Sequence, residues 1–469
     1  MTLWTASEAA AATGGRAIGD WTVSGLSIDT RSIAPGDLFV ALKAVRDGHD
    51  FVAQAIEKGA GAALVSRIPE GCEDGPLLLV DDVQTALEAL GRAARARTRA
   101  RVIAVTGSVG KTSTKEMLRH VLAPQGRVHA AIKSFNNHWG VPLTLAGIPA
   151  DADFAVIEIG MNHPGEIAPL AAQAAPDVAM VTIVAPVHLE AFEDGLPGIA
   201  REKAAIFSGL RPGGAAIFNN DLEVSDILAE HGTVSFGKTR SDWHLTQVNA
   251  GPDSTTCAAE TPLGGIVYRV GAPGEHFAVN ALAVLAAVHA AGADVARAAL
   301  ALSDWTPPEG RGRRHAVTLH PDQPPVDLID DAYNANPASV GAALDLLAAT
   351  EVPRRARRIA ILADMAELGP TGPELHAALA LRDSTEKLDL VHTVGPLMKH
   401  LHDALPAELR GTHTDTAHAM AAHLRDMVRP GDAVLVKGSN SMKMVVLVDG
   451  LRALGDTAQT SKDDRCSIG

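Results

Sequence analysis

The feature that most constrains the fold of this chain is a repeated alternation of short buried strands with helices. The clearest case is RVIAVTG followed by KTSTKEMLRHVLA, in which an apolar run leads through a glycine loop into a helix, residues 101–123. A continuous apolar run of this length is typical of a strand buried on both faces of a parallel sheet. Alternating strands and helices require right-handed crossovers, so the sequence predicts an α/β protein with mostly parallel sheets.

The alternation restarts along the chain, which predicts several domains. A chain of 469 residues is too long for one core, because a domain takes about 150 residues. A Pro-, Gly- and Arg-rich break, WTPPEGRGRRH, separates the last two domains. We expect a small α/β domain over 1–97, a central domain with a mostly parallel sheet over 98–307, a Rossmann-like α/β domain over 308–455 and a disordered tail over 456–469.

The charge of the chain argues against nucleic-acid binding. The formal net charge is −14, from 41 Lys and Arg against 55 Asp and Glu, whereas non-specific nucleic-acid binding requires a basic surface. The arginine-rich stretch GRAARARTRAR, residues 91–101, has no interleaved aromatic residues. We interpret it as a solvated helix end and a linker.

The cysteines and the apolar segments indicate where the protein works. Cys72, Cys257 and Cys466 form no C-x-x-C pair, which argues against a zinc site or a disulfide framework and fits a reducing compartment. The N-terminus lacks the pattern of a signal peptide, and no apolar stretch reaches about 18 residues. We therefore expect a cytoplasmic protein without membrane insertion.

The loop between the strand and the helix at residues 107–113 resembles a phosphate-binding loop with altered spacing. The usual pattern has its first glycine where Val105 stands, whereas here Gly107 lies three residues before Gly110. Glycines allow close backbone approach, and N–H groups at a helix start face an anion. A plain glycine turn with a surface lysine is the alternative. The predicted nucleotide-binding residues are Gly107, Ser108, Val109, Gly110, Lys111, Thr112 and Ser113.

The same loop carries a family resemblance. VTGSVGKTSTKEM, residues 105–117, closely resembles the ATP loop of the Mur ligases, ATP-dependent amide-forming enzymes of peptidoglycan synthesis, in which the first glycine is displaced as it is here. The resemblance covers about residues 24–445. It implies an N-terminal UDP-substrate-binding domain, a central ATP-binding domain and a C-terminal ligase domain. ADMAELG, residues 363–369, and DDAYNANP, residues 330–337, resemble motifs of the member that uses D-alanyl-D-alanine.

Substrate-binding residues are implied by three further motifs of this resemblance. SIDTRSIAPGDLFVAL, SFNNHWGVPLTLAGIP and VIEIGMNHPGEIAPL begin at residues 27, 134 and 156. A guanidinium in the first motif can pair with the pyrophosphate of UDP, although a local ion pair between Asp29 and Arg31 is an alternative. The implied residues are Ser27, Asp29, Thr30 and Arg31 for UDP, and Asn137, Asn162 and His163 for the substrate and metal sites.

Catalytic and metal-binding residues come partly from chemistry and partly from the resemblance. Glu158 ends a buried strand, where a lone carboxylate is costly, and beside Thr112 it is a candidate Mg²⁺ ligand; capping a helix is the alternative. The resemblance implies that His188 binds a second Mg²⁺ and that Lys203 is carbamylated. From the residues alone, Lys203 is a surface lysine and His188 a structural histidine. The predicted metal ligands are Thr112, Glu158, His188 and Lys203, and the last three with Lys111 are the predicted catalytic residues.

The nucleotide contacts outside the loop are implied by the resemblance alone. GEHFAVNALAVLAA, residues 274–287, is similar to an adenine-contacting segment with the pattern His-Asn-x-x-Asn, but Phe277 replaces the first asparagine. We expect Phe277 to be structural. The implied residues are Asn280 for adenine, Arg311 for phosphate, Asp331 for ribose, and Asn334 and Asn336 for ordering the loop beside the phosphates.

The resemblance implies a ligase that joins D-alanyl-D-alanine to UDP-N-acetylmuramoyl-tripeptide through an acyl phosphate. It implies ATP, two Mg²⁺ ions and small-molecule substrates, with no nucleic-acid partner, and we expect a monomer. A diamino-acid-adding Mur ligase and a folylpolyglutamate synthase are alternatives, against which the ADMAELG and DDAYNANP motifs argue. A P-loop NTPase switch is a third, although a switch does not need Glu158, His188 and Lys203 together.

Overall fold

The computed structural model describes residues 2–466, with side chains to residue 455. Three main β-sheets connected by helices confirm the predicted α/β class. The described chain forms two compact units. The first contains the residues up to 182 together with 200–243 and 282–299, and the second contains 183–199, 244–281 and the residues from 300 onward. The domain boundaries after residues 97 and 307 therefore stay predictions.

The N-terminal sheet lies in the first unit and has five strands. The edge strand pairs antiparallel with its neighbour and the other pairs are parallel. In sheet order the strands are Arg16–Ile18, Leu77–Leu79, Ala62–Val65, Asp37–Val40 and Gly25–Ser27. A two-stranded ribbon joins Trp4–Thr5 to Thr22–Val23. The α-helices are Ala6–Thr13, Val52–Glu57 and Val83–Arg97.

The parallel sheet of the central region also lies in the first unit, and four of its strands are largely buried apolar runs of the kind predicted. In sheet order they are Val234–Gly237, Ala215–Asn219, Val178–Val181, Arg101–Thr106, Phe154–Glu158 and Val128–Ala130. All five pairings are parallel. The helices of this region are Lys111–Leu122, Gly140–Ala146, Ile167–Ala174, Leu196–Ala204, Ser225–Ala229, Glu275–Ala290 and Val295–Ala301.

The interpretation of the arginine-rich stretch as a solvated helix end is wrong for two residues. Arg95 is only 7% exposed, and its guanidinium donates to the carbonyl oxygens of Ala174 at 2.9 Å and Ala175 at 2.8 Å. Arg97 stacks over the Trp4 ring, with its Cζ 3.7 Å from the ring centre. Long aliphatic stems allow arginines to bury while the guanidinium finds acceptors, so this segment holds the N-terminal sheet to the central one.

A three-stranded antiparallel meander was not predicted. Its strands are Trp243–Ala250, Thr255–Thr261 and Gly264–Val270. The turns Gly-Pro-Asp and Leu-Gly-Gly between Thr- and Val-containing runs are ordinary hairpin signals.

The C-terminal sheet lies in the second unit and is parallel except at one edge. In sheet order its strands are Arg313–Val317, Val326–Asp331, Ala433–Lys437, Arg358–Ala363, Leu390–Val394 and Arg410–Thr414. The α-helices are Pro337–Ala349, Gly372–Ala377, Met398–Ala404, Ala417–Ala421, Leu424–Met427 and Val445–Cys466.

The last helix includes most of the segment 456–469, for which a disordered tail was predicted; the predicted disorder stays a prediction. The helix continues to Cys466, since the segment contains no proline that would end it; residues 467–469 lie outside the described residues. Across the described chain, every helix is too short or too polar to span a membrane.

Candidate functional site

The predicted nucleotide loop has the backbone of a phosphate-binding turn. The buried strand Arg101–Thr106 ends at Gly107, whose φ is 153°, and Gly110, with φ 88°, precedes the helix Lys111–Leu122. Side chains rarely tolerate these angles, so both positions require glycine. The Thr182 hydroxyl donates to the Val109 carbonyl oxygen at 2.7 Å, which ties the loop to the next strand of the sheet.

The loop lysine folds back over the loop. Lys111 Nζ donates to the Gly107 carbonyl oxygen. The ammonium group is thus held at the mouth of the loop, where a phosphate facing the helix N-terminus would meet it. The half-buried position of Lys111 is compatible with a phosphate-contacting role, and that role stays a prediction.

The structure brings Thr112 and Glu158 together as predicted. Glu158 is 2% exposed, and the Thr112 hydroxyl lies 3.1 Å from its Oε1 and 3.0 Å from its Oε2. The Ser134 hydroxyl is 2.9 Å from Thr112 Oγ1. The buried carboxylate and the two hydroxyls form a cluster of oxygen atoms at the start of the loop helix.

The adjacent residues Asn136 and Asn137 make different contacts, which the sequence did not indicate. Asn136 Nδ2 donates to Glu158 Oε1 at 2.8 Å, so Asn136 is the residue that orients this carboxylate. Asn137, the predicted site residue, accepts backbone N–H groups from Trp139 and Gly140 at 3.2 and 2.9 Å. It therefore caps a helix start. Adjacent residues face different directions, and an Asn-Asn pair does not show which one faces the site.

Asn162 and His163 lie in the loop before the helix Ile167–Ala174. The Asn162 N–H donates to Glu166 Oε2 at 2.7 Å. His163 Nδ1 is 3.2 Å from Glu166 Oε1, and the His163 side chain is 71% exposed. Both side chains belong to an exposed loop that Glu166 shapes, and their substrate role stays a prediction.

Lys203 is not a surface lysine. It lies on the helix Leu196–Ala204 and is 2% exposed. The pKa of Lys203 lies well below its ordinary value. Burial is the main cause, and the positive charge of Lys111 is the second. Both effects favour the neutral amine. A lysine amine whose neutral form is favoured is a better nucleophile than an ordinary lysine.

The N-terminal motif contains an ion pair between Asp29 and Arg31. Such a local pair was the less favoured of the two interpretations of the sequence. Arg31 Nη2 lies 2.7 Å from Asp29 Oδ2, and hydrogen bonds from Arg31 lower the pKa of Asp29 to about 2. The Arg31 side chain is nevertheless 84% exposed, which leaves its face open to a ligand. Ser27 donates to the Asp29 carbonyl oxygen at 3.1 Å and Thr30 to Gln54 Oε1 at 2.8 Å.

In the second unit, His188 contacts a residue of the ADMAELG motif. His188 Nδ1 lies 2.5 Å from Glu367 Oε2. Both residues have positive φ angles, 55° and 64°, which are uncommon for residues other than glycine. The sequence gave no role to Glu367, because the two positions are far apart along the chain.

The third-domain motif forms a network around a buried lysine. Lys437 is 2% exposed, and its Nζ donates to Asp331 Oδ2 at 2.6 Å and to the Asn334 carbonyl oxygen at 2.9 Å. Asn336 caps the helix Pro337–Ala349 by accepting the Ser339 N–H at 2.9 Å. Asn336 thus orders the start of this helix through its side chain and Asn334 contributes its backbone carbonyl; their roles beside the phosphates stay predictions. Lys437 was not identified as a site residue.

The remaining nucleotide candidates lie in the second unit as well. Arg311 Cζ stands 4.0 Å from the centre of the Tyr333 ring. Asn280 and Phe277 are 3% and 2% exposed, and Phe277 packs against Trp305 edge-on at 5.4 Å. Burial, followed by the charge of Lys437, lowers the pKa of His276 to about 4, so this imidazole is neutral at pH 7.

The predicted metal ligands divide between the units. Thr112, Glu158 and Lys203 belong to the first and His188 to the second. Within the described residues, no three His, Cys, Asp or Glu side chains are grouped to hold a metal ion. The predicted set contains only two residues of these types, so such a group is not needed for it.

Family models match most of the chain. A model described as the catalytic domain of the Mur ligase family matches residues 22–120, the Mur ligase middle domain matches 105–288, and the Mur ligase glutamate ligase domain matches 313–440. These matches cover all three predicted domains.

Individual relatives agree with the family models. A UDP-N-acetylmuramoyl-tripeptide--D-alanyl-D-alanine ligase of Escherichia coli is 37% identical over 447 residues, covering 93% of this chain and 95% of the relative. A crystal structure of MurF from Acinetobacter baumannii has a TM-score of 0.82 and 30% identity, covering 96% and 99% of the two chains. MurF from Thermotoga maritima in complex with ADP has a TM-score of 0.75 and 25% identity, covering 93% and 98%.

Proposed function

The chain belongs to the Mur ligase family, and we propose that it joins D-alanyl-D-alanine to the peptide carboxylate of UDP-N-acetylmuramoyl-tripeptide. It is an ATP-dependent ligase that forms an amide bond in peptidoglycan synthesis. The substrates are those in the name of the Escherichia coli relative, and the ADMAELG and DDAYNANP motifs support them. We place the reaction in the cytoplasm, since it consumes ATP and the cysteines fit a reducing compartment.

The observation that carries the proposal is the arrangement at the loop mouth. Lys111 is held over a glycine loop, beside a buried carboxylate that contacts the first-turn hydroxyl of Thr112. A loop for phosphate, a cation for the transferred group and hard oxygen ligands suit phosphoryl transfer. A turn with only a structural role would not require a buried carboxylate here, because burying a carboxylate is costly.

The reaction has two chemical steps. A peptide carboxylate oxygen attacks the γ-phosphorus of ATP, and ADP leaves. The amine of D-alanyl-D-alanine then attacks the acyl carbon, and the tetrahedral intermediate expels phosphate as the nitrogen loses a proton. Phosphorylation is needed because a carboxylate oxygen is a poor leaving group. Lys111 offsets the charge that accumulates between the two anionic reactants.

The oxygen atoms of Thr112 and Glu158 fit a Mg²⁺ ion, which prefers carboxylate and hydroxyl ligands and retains several waters. Bound Mg²⁺ would polarise the phosphoryl oxygens and screen their charge. Asn136 orients the Glu158 carboxylate through its hydrogen bond to Oε1. We assign His188 to a second ion on the strength of the family resemblance.

Carbamylation of Lys203 is the third part of the proposal. The neutral amine attacks CO₂, a nitrogen–carbon bond forms, and one proton is released to give an anionic carbamate. The low pKa that burial and Lys111 impose supplies the neutral amine. The carbamate carries one negative charge, which relieves the repulsion that the ammonium form would feel from Lys111 and adds oxygen ligands for a cation.

The remaining residues hold the substrates. Ser27, Asp29, Thr30 and Arg31 bind the UDP part, where the exposed Arg31 guanidinium can reach a pyrophosphate. We assign Asn137, Asn162 and His163 to the substrate and metal sites on the strength of the family resemblance. Asn280, Arg311 and Asp331 bind adenine, phosphate and ribose, with Asn334 and Asn336 ordering the loop beside them.

One assay tests the proposal directly. Phosphate release from ATP is measured with UDP-N-acetylmuramoyl-tripeptide, in the presence and absence of D-alanyl-D-alanine. We expect sustained release only when all three substrates are present. ATP turnover that ignores the dipeptide would contradict the proposal and favour an NTPase switch, and turnover with a diamino acid in its place would identify the other Mur ligase.

A further inference from the structure

The contact between His188 and Glu367 links two loops of the second unit that are distant in sequence. His188 Nδ1 lies 2.5 Å from Glu367 Oε2, with side chains that are 23% and 51% exposed. Both residues have positive φ angles. His188 stands directly before one short 3₁₀ turn and Glu367 two residues before another. Strained backbone in two contacting residues is typical of functional sites, where the surrounding structure holds the strained conformation.

The backbone around Glu367 is held from both sides. Met365 and Leu368 are 0% and 3% exposed, the Ala366 N–H donates to Ser439 Oγ at 2.8 Å, and the Met365 N–H donates to His376 Nε2 at 2.9 Å. The Glu367 side chain therefore projects from a fixed base. A fixed base is what a group that orients another side chain requires.

We propose that Glu367 is a positioning residue for His188: its carboxylate accepts the Nδ1–H and so fixes the orientation of the imidazole ring, which leaves Nε2 as the nitrogen available to a metal ion. This inference rests on the proposed function of His188 as a Mg²⁺ ligand. A histidine ligand usually donates its other ring N–H to a carboxylate or carbonyl, which fixes the tautomer and the ring orientation. Glu367 supplies that partner here.

The proposal also assigns a structural role to the ADMAELG motif. Its aspartate, Asp364, accepts the backbone N–H groups of Leu397 and Met398 at 3.2 and 2.7 Å, and so anchors the motif inside the C-terminal sheet. Its glutamate then reaches His188, which is encoded within the stretch matched by the middle-domain model. The C-terminal motif thereby sets the conformation of a residue needed for the central chemistry.

The test measures the imidazole directly, without ligands. Full-length protein with ¹⁵N-labelled histidine is examined by NMR, and His188→Asn assigns the His188 signal. We expect the Nδ1–H tautomer in the wild-type protein and a loss of that preference in Glu367→Ala. Glu367→Gln keeps an acceptor oxygen and should retain part of the preference. Glu190→Gln, which removes an exposed carboxylate two residues from His188, is the matched control.

A second measurement follows the Mg²⁺ requirement of the reaction. We expect Glu367→Ala to raise the Mg²⁺ concentration for half-maximal activity about 10–100-fold, Glu367→Gln to raise it less, and the control variant to leave it unchanged. An unaltered His188 tautomer in Glu367→Ala would overturn the positioning role. Dipeptide-independent ATP turnover by the wild-type protein would instead overturn the proposed function, and the NMR result would still report on the contact.

Discussion

Two lysines are equally buried in the two units but meet opposite surroundings. Lys203 in the first unit and Lys437 in the second are each 2% exposed. Lys203 faces the positive charge of Lys111, which adds to burial in lowering its pKa. Lys437 donates to the Asp331 carboxylate at 2.6 Å and to the Asn334 carbonyl oxygen at 2.9 Å. The neighbours of a buried lysine, and not its burial, therefore distinguish a reactive amine from a structural cation.

The comparison also assigns different consequences to mutation. Removing Lys203 takes away a group that the fold does not use as a charged partner, so the effect should fall on catalysis. Removing Lys437 leaves a carboxylate without its cation, so the effect should fall on stability. The experiments below are ordered by expected size.

The largest effect is expected for Lys111→Ala. This variant removes the positive charge that makes the surroundings of Lys203 differ from those of Lys437. The variant should lose about 100- to 1,000-fold in kcat, because Lys111 stabilises charge formed in the transition state. The pKa of Lys203 should rise at the same time, since its like-charged neighbour is gone. Steady-state phosphate release measures the first effect. Lys238→Ala, an exposed lysine of the same unit, is the control, and near-normal turnover in Lys111→Ala would refute the nucleotide-loop assignment.

Lys203→Ala should reduce activity about 100-fold, in line with the loss of a metal-site group. A short carboxylic acid such as formate or acetate should restore part of the activity, because its oxygens can replace those of the carbamate in the vacated space. Activity is compared with and without the acid, and thermal unfolding checks that the variant is folded. Full activity without the acid would rule out a metal role for Lys203.

Lys437→Met should destabilise the protein by about 3–5 kcal/mol, because it leaves Asp331 without its partner in a largely buried place. Urea unfolding of the full chain measures the change. Lys399→Met is the matched control: Lys399 pairs with Asp403, but both side chains are exposed, so its loss should change stability much less than the loss of Lys437. Equal stability of the two variants would show that Lys437 is not a structural cation.

Local signals in the sequence predicted much of the fold. The helix expected at VQTALEALGRAARAR spans Val83–Arg97, since Asp82 caps it by accepting the Thr85 N–H at 2.7 Å. The loop glycines were also predicted, because their spacing reflects backbone requirements. Helix caps, apolar runs and glycine loops each depend on residues close together along the chain, so they can be recognised from one sequence.

Contacts between distant residues were not predicted. His188 and Glu367 are brought together by the fold, as are Lys437 and Asp331, and no local pattern pairs them. The contact of Asn136 with Glu158 was missed for a different reason, since it depends on side-chain direction in a loop. The Asp29–Arg31 pair shows a limit of the family resemblance. The resemblance implies which residues bind a ligand, but it does not indicate which residues they contact without one.

The smallest effect on activity separates two residues of the helix Glu275–Ala290. Phe277 packs edge-on against Trp305, and a Cβ added at Gly312 would lie 3.4 Å from its ring, so its role as a core residue agrees with the prediction. Phe277→Asn should lower stability by about 3–5 kcal/mol, because it deletes a buried ring, and should change the KM for ATP little. The test of that variant is urea unfolding beside an ATP titration.

Asn280 should behave in the opposite way, because it keeps a donor and an acceptor for a base edge. Loss of a hydrogen bond to a neutral group costs about 0.5–1.5 kcal/mol, so Asn280→Ala should raise the KM for ATP about threefold to tenfold and affect the other substrates less. Since Asn280 is only 3% exposed, a purely structural role would instead lower the unfolding temperature and leave the KM for ATP unchanged. A larger rise in that KM for Phe277→Asn than for Asn280→Ala would reverse the assignment, because the adenine contact would then belong to the position where this chain departs from its family.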